Sequence, residues 1–299
     1  MGTLRRVAVI TGYEWRRALA KKSVLALIIL AVAVQTLILT LYSQFTAGTM
    51  FLTEEVKPFM WILGVLQGQG LFVQLIAIII AGSTMSEEYE HGTADILLSK
   101  PITRVEYLSG KFLGGFSLLA LVEALTTVVG VILASWFFGP QNSLQHVPLM
   151  FLAIIYSTLI FFCLSFMFSE ALRRNTLAML IALAILIASS IISQLLVELY
   201  RMTGEYLYFY LSRGIPTWGS NYFPSLLMRE LMTIPSTAFL NLINDPLIPI
   251  EATKRGVSEA ILVREALQQA AIIVAIYAII FILVAVYRLL KSDVTKKTA

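Results

Sequence analysis

Residues 23–42 read S-V-L-A-L-I-I-L-A-V-A-V-Q-T-L-I-L-T-L-Y, without one Asp, Glu, Lys, Arg or His. A helix rises about 1.5 Å per residue, so this run crosses the roughly 30 Å hydrocarbon core of a bilayer. A helix also satisfies its backbone hydrogen bonds within its own segment, as lipid demands. The stretch is therefore read as a membrane span. Comparable runs recur at about Trp61–Thr84, Phe116–Phe138, Leu149–Phe168, Leu177–Leu199 and Ala266–Tyr287. The whole chain agrees: 58% of its residues are hydrophobic and only 13% are charged, where a soluble domain carries about 25%. The alternating segments of a β-barrel are absent. The expectation is an all-α polytopic membrane protein of about six spans, one transmembrane domain over residues 1–299.

Ahead of the first span, residues 1–22 are basic and amphipathic. On a helical wheel Leu4, Val7, Ala8, Trp15, Ala18 and Leu19 gather on one side. Arg5, Arg6, Arg16, Arg17 and Lys21 lie on the other, with Val9 and Ile10 blurring the pattern. This reads either as an interfacial helix with its basic face on anionic headgroups, or as a basic tail that sets topology. The long basic region and the length of the run after it argue against a cleaved signal peptide. Lys and Arg are dense before residue 22, in the link between spans two and three, at Arg173 and Arg174, and from Arg288 onward. The other face carries Lys57 and a long segment whose charges count for little. Both termini are thus expected in the cytoplasm. The net charge of +4 suggests no nucleic-acid partner. The lone Cys163 excludes an intrachain disulfide and reads as a small buried packing residue.

The link at 85–111 is the most informative polar segment. Glu87, Glu88 and Glu90 cluster just past the second span. Gly92 and Thr93 interrupt, and Ile96, Leu97 and Leu98 form a short apolar knob. Lys100-Pro101 stops the helix, because the residue before proline disfavours the α region. Thr103 and Glu106 then form a capping box that starts the next helix. An apolar knob flanked by charge suits a protein-docking element; an ordinary cytoplasmic loop fits the same residues.

The order Glu88, Gly92-Thr93, Leu97-Leu98-Ser99, Pro101-Ile102-Thr103-Arg104 and Gly110-Lys111 resembles the signature of type-2 ATP-binding-cassette exporter permeases. His91 and Ala94 depart from it. Beyond this link, the likeness is one of layout. The resemblance implies that the link seats as a coupling helix in an ATP-binding subunit, through Glu87, Glu88, Glu90, Gly92, Thr93, Leu97, Leu98, Pro101 and Arg104. It implies two copies of that subunit, which holds ATP and magnesium, while this chain binds no cofactor. It also implies a second permease chain, identical or a sister, in the cytoplasmic membrane of a prokaryote, with lipids around it. The sequence itself carries no phosphate-binding P-loop, no HExxH and only two histidines, His91 and His146, so catalysis by this chain is not expected.

Three polar side chains inside predicted spans are candidates for a translocation pathway: Glu123, Gln74 and Gln35. An ionisable group at that depth faces a bundle interior or a cavity, and either a pathway role or a structural pairing would put it there. Gln67 to Gly70 reads as a close helix approach. The segment 200–265 is rich in aromatics and prolines and reads as extracellular, either as short re-entrant helices or as a plain cap. Two functions stand: a permease subunit of an ATP-driven exporter, or a membrane anchor, assembly or mechanotransmission subunit that moves no solute.

Overall fold

The computed structural model describes residues 3–20, 22–46, 56–68, 72–93, 102–232 and 259–291. Among them are ten α-helices and no strand. They are α1 (Thr3–Leu19), α2 (Lys22–Thr46), α3 (Met60–Gly68), α4 (Gln74–Glu90), α5 (Arg104–Phe138), α6 (Val147–Leu172), α7 (Asn175–Thr203), α8 (Tyr206–Arg213), α9 (Pro216–Leu231) and α10 (Glu259–Lys291). Five of them, α2, α5, α6, α7 and α10, contain a stretch long and apolar enough to cross a membrane.

Where the sequence reads as one second span, the structure describes two helices, α3 and α4, with residues 69–71 outside the described set. Met60, Trp61, Ile62, Leu63 and Val65 of α3 are all buried, so this part of the expected span is enclosed by protein rather than exposed to lipid.

Helix α6 is the most enclosed of the long helices and packs against α4, α7, α9 and α10. Its contact with α4 is held by hydroxyls, the usual glue where lipid removes the hydrophobic drive. Ser165 Oγ donates to Ile78 O at 2.7 Å, and Ser169 Oγ donates to Gly82 O at 2.7 Å. Cys163 is buried on the same helix, and Phe162 and Phe166 beside it pack edge-on against Phe112 of α5.

The long segment after α7 folds back on the bundle. Helix α9 packs on α10 through Trp218 and Leu226, both buried, and on α6 through Phe223 against Tyr156. Residues 233–258 lie outside the described set.

The long helices α2, α5, α6, α7 and α10 sort their ends into two groups. At one end Arg104 meets the carbonyls of Leu289 and Leu290, and Glu90 meets the backbone N–H of Asn175. Both ends of the described chain lie there, because α1 packs on the first turns of α5. At the other end the turn after α5 closes over α3. Asn142 N–H donates to Pro58 O at 2.7 Å, and Trp61 Nε1–H donates to Asn142 O at 2.9 Å.

Candidate functional site

Helix α5 starts where the sequence says it should. Thr103 Oγ1 accepts from Glu106 N–H, and the Glu106 carboxylate accepts from Thr103 N–H, the reciprocal pair of a capping box. At 35 residues, α5 is about 52 Å long and overshoots the hydrocarbon core. Helix α1 packs on the overshoot. Its seat is Gly110 and Gly114, spaced as G-x-x-x-G. A Cβ at Gly110 would stand 2.7 Å from Ile10 Cβ, and one at Gly114 would stand 2.5 Å from Glu14 Cβ. Absence of those side chains is what lets the two backbones approach.

The inward face of α1 is not the apolar one drawn from the helical wheel. Leu4 and Leu19 are exposed, and so is Val9. Ile10 and Glu14 are buried, Trp15 Nε1–H donates to Ser117 Oγ at 2.6 Å, and Arg6 pairs with Glu106 at 3.2 Å. Arg6 and Arg17, expected on a headgroup-facing side, are turned into protein instead. Burying them costs less than it would alone, because each meets a carboxylate.

Between Gly110 and Gly114 stands Lys111, fully buried. Its ammonium donates to Glu14 of α1 and to Glu88 of α4. Arg17 reaches the same two carboxylates, at 3.1 Å to Glu14 and 3.2 Å to Glu88, and donates to the carbonyls of Ser83 and Thr84. The second oxygen of Glu88 accepts from Tyr107 Oη–H. Two carboxylates thus face two cations, and three elements close on one buried, charge-balanced knot. Burial pushes Glu14 above the usual carboxylate range, and Lys111 and Arg17 pull it back. Deleting one member of such a pair is costly, because a charge is left buried alone.

The acids of the link therefore do different things. Glu88 is 1% exposed and faces inward. Glu90 accepts from Asn175 N–H at 2.7 Å, at the start of α7 where a helix favours a negative charge. Glu87 lies 3.9 Å from Arg17 and accepts from Asn175 Nδ2 at 3.4 Å. Gly92 adopts φ +67°, which lets the chain turn out of α4, and Thr93 Oγ1 donates to Glu88 O at 3.4 Å. Arg104 opens α5 and donates to Leu289 O at 2.9 Å, capping α10. Leu97, Leu98 and Pro101 lie outside the described residues.

Of the intramembrane candidates, the structure brings Gln35 and Glu123 together and sets Gln74 elsewhere. Gln35 and Glu123 line one small cavity with Val65, Phe72 and Thr126. Gln35 Nε2 donates to Gly64 O at 2.9 Å and Thr126 O at 3.0 Å, so it braces α2, α3 and α5. Glu123 accepts from Thr126 and Thr127, at 3.3 and 3.4 Å, on its own helix. Gln74 donates to Ser220 and Asn221, at 2.6 and 2.7 Å, fastening α4 to α9.

Sequence reasoning missed Glu14, Arg17, Tyr107 and Lys111 as a set. Two signals pointed to it: Glu14 is the one acid in an otherwise basic stretch, and Gly110-Lys111 opens a G-x-x-x-G.

Comparison with known proteins agrees with the layout. The family described as ABC-2 family transporter protein matches residues 8–294, nearly the whole chain. The chain is also similar to the uncharacterized protein YhcI of Bacillus subtilis (strain 168), 27% identical over 139 residues. That stretch covers 39% of this chain and 43% of the relative, less than half of its length.

Proposed function

The chain belongs to the ABC-2 family of transporter proteins, and we propose that it is the permease subunit of an ATP-driven exporter. Residues 85–111 couple it to a separate ATP-binding subunit. Two such subunits hold ATP and magnesium and act on two permease chains in the cytoplasmic membrane of a prokaryote, with both termini inside. This chain supplies the membrane path and catalyses nothing.

The observation that carries the reading is the knot of Glu14, Arg17, Glu88, Tyr107 and Lys111. It sits where α4 enters the link and α5 leaves it. A push delivered to the link is passed through this rigid point to the long helix α5 and to α1. The apolar knob at Leu97 and Leu98 is the docking surface in this scheme. Glu88 belongs to the transmission behind it, since it is buried. Glu123 and Gln35 border the path, and Glu123→Gln changes ATP-driven turnover without disturbing assembly.

The test is affinity capture of the tagged chain from native membranes, with identification of its partners. The expected partner is a polypeptide carrying a P-loop. A stable complex with no ATP-binding subunit overturns the permease reading and favours an anchoring or assembly role.

A further inference from the structure

At the end of the bundle that holds both described chain ends, a second cavity of about 360 Å³ opens. It is lined by Glu170 and Ala171 of α6, Arg173 of the following turn, and Tyr287, Arg288 and Lys291 of α10. It shares no residue with the Lys111 knot. Three cations meet one carboxylate, and that carboxylate is already engaged: Glu170 accepts from Tyr89 Oη–H at 2.8 Å. Arg104 adds further positive charge close to Glu170.

The cations are held at the rim. Arg173 takes φ +55°, a region that bulky side chains rarely adopt, and its guanidinium stacks 4.7 Å from the centre of the Tyr89 ring. Arg288 reaches Ala171 O at 3.4 Å. Lys291 is exposed and donates to Tyr287 Oη at 3.2 Å. Below the rim one face of α10 is apolar and, among the described residues, exposed. Ile280, Leu283, Val284 and Tyr287 recur at helical spacing, each more than a third exposed.

We propose that this cavity binds the phosphate of an anionic phospholipid, whose acyl chains lie along the apolar face of α10. Guanidinium and ammonium groups bind phosphate oxygens with charge-assisted hydrogen bonds. Basic pockets between membrane helices hold anionic headgroups in this way, and Tyr287 suits the interface because its ring is apolar and its hydroxyl polar. A free phosphate ion has no use for the apolar face, so the two features together select a lipid.

Native mass spectrometry of the purified chain with added phosphatidylglycerol or phosphatidylcholine tests this without the ATP-binding partner, so its failure and that of the permease reading are distinguishable. The wild-type chain should retain phosphatidylglycerol selectively. R288Q/K291Q should lose at least threefold of that retention, K291Q alone should lose part of it, and R5Q/R16Q on α1 should match wild type. If R288Q/K291Q fails to fold, K291Q decides, since Lys291 is exposed. Wild-type retention in K291Q, equal retention of phosphatidylcholine, or an equal loss in R5Q/R16Q overturns the proposal. So does displacement of the lipid by millimolar inorganic phosphate, which identifies a soluble-anion site.

Discussion

Replacing Lys111 by Met leaves Glu14 and Glu88 buried beside each other with Arg17 as the cation they still share. Breaking a buried pair from one side costs about 3–5 kcal/mol, so K111M should unfold at markedly lower temperature in detergent. E88Q/K111M removes one charge of each sign, leaves Arg17 paired with Glu14, and should recover part of that loss. An unchanged melting temperature in K111M would mean that water reaches the knot. Single residues were unevenly legible in the sequence. Glu123 stood out because an acid among apolar neighbours is visible in one dimension. Lys111 did not, because its partners lie 97 and 23 positions away. Glu88 was legible as important but not as buried, since burial depends on Tyr107 and Arg17 closing over it.

Helix α1 is held to α5 by the absence of two side chains. Gly114→Val puts a branched group where Glu14 Cβ and Cγ stand, at 2.5 and 2.9 Å from the new Cβ. Overpacking of this kind costs about 1–3 kcal/mol, and moving α1 out also parts Glu14 from Lys111. In G114V, limited proteolysis should cut within α1 while the spans stay protected; resistance equal to wild type would show that α1 is held by other contacts. At this scale the local rules worked well. The capping box at Thr103 and Glu106 was readable from four residues because its bonds stay within one turn. The inward face of α1 was misread because Arg6 and Arg17 are polar by type, and only their carboxylate partners on α4 and α5 make them inward.

For the molecule as a whole, the charge asymmetry and the geometry make one statement. Arg17, Arg104, Arg173, Arg288 and Lys291 gather at the end that holds both described chain ends, and that end is expected inside. On a Cys163→Ser background, an impermeant thiol reagent should label Asn142→Cys in intact cells and His91→Cys only after permeabilisation. The reverse pattern would invert the topology. Five of the six expected spans were legible as long helices, in order, because lipid imposes length and apolarity on every span. The sequence left two readings of the segment after α7 open, re-entrant helices or a plain cap, because the choice rests on pairs such as Gln74 with Ser220, 146 positions apart. In the proposed mechanism, ATP hydrolysis on a partner is coupled through the link to this bundle. The most direct test is ATP hydrolysis by the partner subunit reconstituted with the chain in vesicles, for wild type and L97D/L98D. Charge placed on the docking knob should abolish the stimulation of hydrolysis by the permease, while the spans stay inserted and α1 stays protected. Stimulation equal to wild type in that double variant would contradict the account.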